Sequence, residues 1–519
     1  MHWEPMTSGT VCNRRAFLSG LAGAAGAAML FGCAHTGRTG PPPAKRTPNI
    51  VVILADDLGV GDINALNPDA KIPTPHLDAL VREGMAFTDA HSASAVCTPS
   101  RYALLTGRYA WRTTLQRWVI APYEPPLIAP NRLTLPGMLQ GRGYHTACIG
   151  KWHLGWDWAG EGDGPEKQAV FDAPIAGGPT TRGFDYYFGT DVPNFPPFTF
   201  IENDRVVVQP TDRNTADDTI IVGYDGAPMA PGWRFDEILP TITDRAVSYV
   251  HERARAAEPF FLFFSMTSPH EPISPSARFR GASGIAPIAD FIMETDWSAG
   301  RVIQALEEAG VAEDTLVVFT ADNGASHYTG MDTLLEHGHQ SSGPYRGRKA
   351  QIWEGGHRVP LVVRWPGVVA PGTRNDQLIG LNDLFATTAA IVDERLPDNA
   401  GEDSVNMLHV LTGGVGVPPR DAIVHHDTRG GFAIRQGPWK LVILVDYDTP
   451  PVFELYNLED DPGETCNVRD AHPDIADRLL ALLERYVEEG RSTAGPAQPN
   501  DTDAIDIRAR ARERWAPPR

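Results

Sequence analysis

Four apolar runs each end in residues that can do chemistry. Asp56 and Asp57 follow NIVVILA (49–55), and Lys151 and His153 follow HTACI (145–149). His270 follows PFFLFFSM (259–266), and Asp322 and Asn323 follow TLVVFTA (315–321). In open α/β sheets, ligands bind beyond the carboxyl ends of the strands, so these side chains are expected to meet at one edge. Singly they mean little: Asp-Asp starts many loops, and Asp322-Asn323-Gly324 is a turn signal by itself. Together, three carboxylates would repel one another unless a hard cation sat among them. Oxygen ligands suit calcium or magnesium, and there is no Cys/His array with zinc spacing. The lysine and the histidines are then candidates for holding an anion and moving protons.

A fifth element is Cys97-Thr98-Pro99-Ser100-Arg101 followed by YALLTGR. Pro99 near the start and Gly107 just past the end bracket a short helix. Cys97 then stands at its N-terminal end, where backbone N–H groups favour an anion. Taken alone, Cys97 reads as an inert buried cysteine or as a thiolate nucleophile.

The first of these runs is apolar, β-branched and continuous and the others are similar, the pattern of strands buried on both faces. Helical patterns at 76–83, 133–141, 238–256 and 290–309 lie between them, which predicts an α/β fold with a mostly parallel sheet. From about 421 the pattern changes to short strands, AIVHH, GFAIRQ, WKLVILV and VFELYNL, which predict antiparallel hairpins. Residues 474–490 form an amphipathic helix with Leu479, Leu480, Leu482, Leu483 and Val487 on one side. The polar, Pro-rich segment from 491 onward is expected to be poorly ordered.

The chain has 519 residues and a net charge of −20. That argues against a nucleic-acid partner. An anionic ligand requires a local cation cluster, which screening over about 8 Å makes feasible. Five cysteines exclude a disulfide-built scaffold. Arg14 and Arg15 precede a soft apolar run at 16–32, shorter than a membrane span, so residues 1–33 read as a signal peptide. Asn13-Arg14-Arg15-Ala16-Phe17-Leu18 resembles a twin-arginine export signal. Leu30-Phe31-Gly32-Cys33 resembles a bacterial lipobox, with Cys33 as the lipidated residue; plain cleavage without lipid is the alternative. Residues 34–48 read as a tether of at most about 50 Å. These features predict export to the periplasm or cell surface.

Cys97-Thr98-Pro99-Ser100-Arg101 and Gly150-Lys151-Trp152-His153-Leu154-Gly155 resemble the two signatures of the sulfatase (arylsulfatase) family of the alkaline phosphatase superfamily. The likeness runs from about 48 to 490. It includes Asp56-Asp57, Ser268-Pro269-His270, Asp322-Asn323-Gly324, Lys349, Glu354-Gly355-Gly356 and Leu455-Tyr456-Asn457-Leu458. It implies an alkaline phosphatase-like sandwich with a large mixed, mostly parallel sheet. The catalytic domain would span 49–415, a subdomain with a short antiparallel sheet and a helix 416–490, and a polar tail 491–519.

The resemblance also implies a mechanism. A formylglycine-generating enzyme would oxidise Cys97 to formylglycine, whose hydrate offers a geminal-diol nucleophile. Calcium, ahead of magnesium, would be held by Asp56, Asp57, Asp322, Asn323 and the modified Cys97. Arg101 would hold the diol and its metal ligands. Lys151 and Lys349 would neutralise the sulfate, with His270 as acid and His153 as base for releasing sulfate from the covalent intermediate. The substrate would be a sulfated saccharide or an aryl sulfate. His270, Asp191 or Asn194, and His357 are candidates for contacting it, although His357 reads equally as a satisfied loop histidine. His337 and His339 read as loop residues, Cys148 and Cys466 as structural. The competing readings are a phosphonate or phosphate ester hydrolase with the same site, and a surface lipoprotein that binds glycans without hydrolysis.

Overall fold

The computed structural model describes residues 47–162, 164, 167–215, 224–414, 420–446, 450–503 and 505–507. The signal, lipobox and most of the tether, and the boundary drawn at 415/416, lie outside the described residues.

The central sheet has ten strands. In chain order they are β1 (Asn49–Ala55), β2 (Met85–Phe87), β3 (His145–Lys151), β4 (Tyr186–Thr190), β5 (Ile201–Glu202), β6 (Arg205–Val206), β7 (Phe260–Ser265), β8 (Thr315–Ala321), β9 (Leu361–Arg364) and β10 (Thr373–Asn375). Their spatial order is β10-β2-β9-β8-β1-β7-β3-β4-β5-β6. The middle of the sheet, β8-β1-β7-β3-β4, is all parallel. β9 and β5 join it antiparallel on either side, so the sheet is mixed. The four apolar runs are the four central strands. β4 and the short outer strands lack a comparable run, and the sequence pattern passes over them.

The helices gather in two groups. α1 (Pro75–Glu83), α4 (Ile238–Arg253) and α5 (Pro287–Glu308) pack together, as do α2 (Cys97–Thr106), α3 (Leu135–Gly141) and α6 (Asp383–Ile391). Helix boundaries differ from the sequence pattern by up to three residues, as expected where helix ends fray.

Strands β11 (Ile423–His426), β12 (Phe432–Gln436), β13 (Trp439–Leu444) and β14 (Val452–Asn457) form an antiparallel sheet in sequence order. Helix α7 (Pro473–Glu488) buries Leu479, Leu482, Leu483 and Tyr486 in a core shared with Ile434, Leu441 and Ile443. Each such side chain contributes about 1.5–3 kcal/mol when fully buried. Ala103, Tyr109 and Trp111, in and just after α2, belong to the same core, which ties this sheet to the helix that Cys97 opens.

The segment after 490, expected to be loose, is docked through residue 503. Buried Arg108 donates to Asp501 at 2.9 Å, and buried Arg112 to Asn500 at 3.1 Å. Two buried guanidiniums need acceptors, and the polar segment supplies them.

Candidate active site

Strand register brings the acidic residues level. Ala55 pairs with Ala321, so Asp56-Asp57 and Asp322-Asn323 leave neighbouring strands at the same height. Asp57 has φ +68°, a left-handed conformation that Asp tolerates better than most residues. Its N–H donates to Asp322 Oδ1 at 3.3 Å, and Asn323 Nδ2 donates to Asp57 Oδ1 at 2.7 Å.

Lys151 arrives from the other side of β1. It is the last residue of β3 rather than part of the loop beyond. Its Nζ donates to Asp56 Oδ2 at 2.7 Å, with both side chains buried. Gly150 before it has φ +117°, and a Cβ there would lie 1.8 Å from the Ser265 carbonyl oxygen. Only glycine lets β3 come this close to the end of β7.

Cys97 is the first residue of α2, a helix buried along its whole length and ended by Gly107 at φ +66°. Its thiol is fully buried within the field of Lys151, Lys349, Asp322 and Asp56. Arg101, one turn on, donates from Nε and Nη2 to Asp322 Oδ2 at 3.0 and 2.8 Å. Its Nη1 donates to the Lys151 carbonyl at 3.2 Å and to Ser265 Oγ. Lys349 Nζ donates to Asp57 Oδ2 at 2.8 Å.

The two histidines have readable tautomers. His153, at φ +53°, faces the Ile120 carbonyl with Nε2 at 3.1 Å, so Nε2 carries the hydrogen. Its Nδ1 is buried without a partner and keeps a free lone pair. His270 faces the Glu271 carbonyl with Nδ1 at 2.6 Å, and its Nε2 lies 3.9 Å from Asp57 Oδ2. Burial lowers both rings well below the usual histidine value; Lys151 adds to this at His153, and Lys349 at His270.

The carboxylates do not share their charge equally. Burial would raise Asp56, but Lys151, His270, Arg101 and Lys349 overcome it and hold it well below the carboxylate range. Burial pushes Asp57 up to about 7 despite Lys349, with Asp56 and Asp322 adding repulsion. Burial and Asp56 also raise Asp322. Burial raises the Cys97 thiol despite Lys151 and Lys349, which argues against a thiolate nucleophile.

A divalent cation fits this donor set. Asp56 Oδ1 and Asn323 Oδ1 are buried and accept no hydrogen bond, so two hard oxygens of this donor set are left without a partner. Oxygens of Asp56 and Asp57 and a ring nitrogen of His270 lie within 4.8 Å of one another. Burial is the main cause that lifts Asp57 and Asp322, and the repulsion between carboxylates that adds to it would be relieved by such an ion.

Three expected substrate contacts fare differently. Asp191 is buried, and its Oδ1 accepts from the His153 N–H at 3.1 Å and from Trp156 Nε1 at 3.0 Å. This oxygen holds the backbone of His153. His357 does not join the site. Its ring is buried against His91 (Nδ1 to Nδ1, 3.0 Å) and stacked on His425 at 3.6 Å, with Nε2 beside the Ile352 carbonyl and Lys440. Asn194 does lie at the edge of the site, half-buried, with Nδ2 donating to Glu271 Oε1 at 3.1 Å. Glu271 is the residue that sequence reasoning passed over; its only signal was its place after His270. His339 is a structural residue, its Nε2 2.7 Å from Asp62 Oδ1, and His337 is exposed. Cys148 is buried in β3 and Cys466 is half-buried, and neither is in a disulfide.

A sulfatase family profile matches residues 48–393, and an N-sulphoglucosamine sulphohydrolase C-terminal profile matches 347–489. The chain belongs to the sulfatase family. The N-acetylgalactosamine-6-O-sulfatase of Bacteroides thetaiotaomicron is 33% identical, over 88% of this chain and 97% of that protein. Human arylsulfatase A is 32% identical, over 87% and 90%. A solved structure of a 6S-sulfatase from a Bacteroides thetaiotaomicron glycosaminoglycan locus superposes with a TM-score of 0.76 at 31% identity, covering 85% of this chain and 99% of that one. This sulfatase has the alkaline phosphatase-like fold and hydrolyses sulfate esters.

Proposed function

We propose that this sulfatase is exported, carries formylglycine at position 97 and a calcium ion beside it, and removes sulfate from a saccharide. The observation that carries the site assignment is the pair of unpartnered buried oxygens, Asp56 Oδ1 and Asn323 Oδ1, in the acidic cluster beside Cys97. The saccharide reading is supported by the N-acetylgalactosamine-6-O-sulfatase relative. The export reading rests on the twin arginines and apolar run before residue 33, with Cys33 as the site of a lipid anchor.

Asp56, Asp57, Asp322 and Asn323 would hold the ion, which when bound polarises the sulfate and eases ionisation of the attacking hydroxyl. The hydrated aldehyde made from Cys97 by a formylglycine-generating enzyme supplies two hydroxyls on one carbon, which neither cysteine nor serine can offer. Arg101 fixes Asp322 and so the wall of the site. Lys151 and Lys349 neutralise the sulfate oxygens, an effect that grows as water leaves. His270 presents Nε2 to the site and would protonate the departing alcohol. In the free protein this ring is held neutral, so the acid role needs the negative charge of the bound ester to draw a proton onto it. His153, whose Nδ1 keeps a free lone pair, would take a proton from the second hydroxyl.

The test is sulfate release from a panel of defined sulfated saccharides, using protein whose residue-97 peptide has been shown by mass to carry the aldehyde. Release from one or more sugars is the expected result. Release from aryl sulfate alone overturns the saccharide reading, and turnover by fully unmodified protein overturns the formylglycine reading.

A further inference from the structure

One carboxylate at the site is committed neither to the cations nor to the metal cluster. Glu271 follows His270, and its Oε1 accepts from Asn194 Nδ2 at 3.1 Å. Its Oε2 accepts no hydrogen bond among the described residues, and the side chain is half-buried rather than enclosed. Burial raises its carboxyl against the pull of Lys349 and Lys151, and it forms an ion pair with none of the described cations. The main chain then runs through Ile273, Ser274 and Pro275, which wall a cleft of about 800 Å³ with Trp233 and Phe235.

A negative group beside an anion-binding pocket weakens binding of the anion unless it also recognises something else on the substrate. Held by Asn194, it can accept from a neutral hydroxyl, and it repels a second anion. We infer that Glu271 accepts a hydrogen bond from a free hydroxyl of the sugar ring that carries the scissile ester, and so selects monosulfated neutral rings over rings bearing a second sulfate or a carboxylate. Asn194 is then a positioning residue, reaching the substrate through Glu271. This inference rests on the saccharide reading above.

The experiment compares the full-length protein with Glu271→Gln, both verified to carry formylglycine, on N-acetylgalactosamine 6-sulfate, its 4,6-disulfate and 4-nitrophenyl sulfate. A hydrogen bond to a charged acceptor predicts a KM increase of about tenfold to a hundredfold for the monosulfated sugar, with kcat little changed. The ratio of monosulfated sugar to aryl ester in kcat/KM should fall, and discrimination against the disulfate should shrink. If both sugars are cleaved and these ratios are the same in the two proteins, the inference is overturned while the saccharide reading stands. If neither these sugars nor any saccharide of the panel above is cleaved while the aryl ester is, both are overturned.

Discussion

Arg101, in a helix, and Asp322, just past the end of a strand, are 221 residues apart and joined by two hydrogen bonds of 3.0 and 2.8 Å. Both side chains are buried, and the same guanidinium lies 3.5 Å from Asp56 Oδ2. This contact fixes the turn that carries Cys97 against the acidic strand ends. Removing one partner of a buried pair costs about 3–5 kcal/mol because the other is left charged and unpaired. Arg101→Ala should lose about that much in urea unfolding and release no measurable sulfate. Arg101→Lys should recover only part of the stability, since an amine cannot replace the forked donors. Near-native stability of the alanine variant would show that the pair contributes little.

Metal affinity should depend on pH through Asp57. Its carboxyl is pushed up to about 7, so below that pH it holds a proton that a bound cation must displace. Calcium affinity is therefore expected to rise with pH through about 7 and to level off above it, with net proton release on binding. The metal-free protein has the opposite dependence. The folded state holds this proton between the usual 3.8 and about 7 while the unfolded chain does not, so its stability contribution falls as pH rises across that window. Calorimetric titration with calcium in buffers of different ionisation enthalpy measures the proton count, and thermal unfolding in chelator gives the second trend. A flat calcium affinity from pH 5.5 to 8 would contradict the assignment.

Cys97 should be indispensable as an aldehyde and useless as a thiol. Burial raises its thiol, so the unmodified side chain stays protonated and a poor nucleophile. Cys97→Ser and Cys97→Ala should both lose about a thousandfold or more in sustained turnover. Activity of wild-type preparations should scale with the aldehyde fraction of the peptide containing residue 97, read by mass. Serine-variant turnover near the wild-type rate would rule out a role for the second hydroxyl.

The strand ends are legible in the sequence because continuous apolar runs must lie side by side in a sheet, and polar residues just after them must emerge at one edge. Asp56, Asp57, Lys151, Asp322 and Asn323 are placed by that rule alone. Direction within a loop is not legible. His357 turns inward because His91, on a short bridging strand, and Lys440, from a strand 83 residues later, meet it there. Nothing near it in sequence signals either. The segment from 491 to 503 reads as a loose tail from its composition, yet buried Arg108 and Arg112 draw Asp501 and Asn500 onto the catalytic domain. Glu271 escapes notice because its neighbour in space, Asn194, is 77 residues away.

Asp191 separates positioning from chemistry. One of its oxygens accepts from both the His153 N–H and the Trp156 indole, and His153 itself sits at φ +53°. Asp191→Ala would leave two buried donors without an acceptor, at about 1–3 kcal/mol each. It would also release the backbone that aims His153 Nδ1. Stability should fall by about 2–4 kcal/mol, and kcat should drop more than KM changes, because the sulfate contacts through Lys151 and Lys349 remain. Asp191→Asn keeps a carbonyl oxygen in the same place and, with its amide correctly turned, should retain most of both. If Asp191 instead touched the substrate, the asparagine variant would show its main effect in KM and the alanine variant would fold with near-native stability.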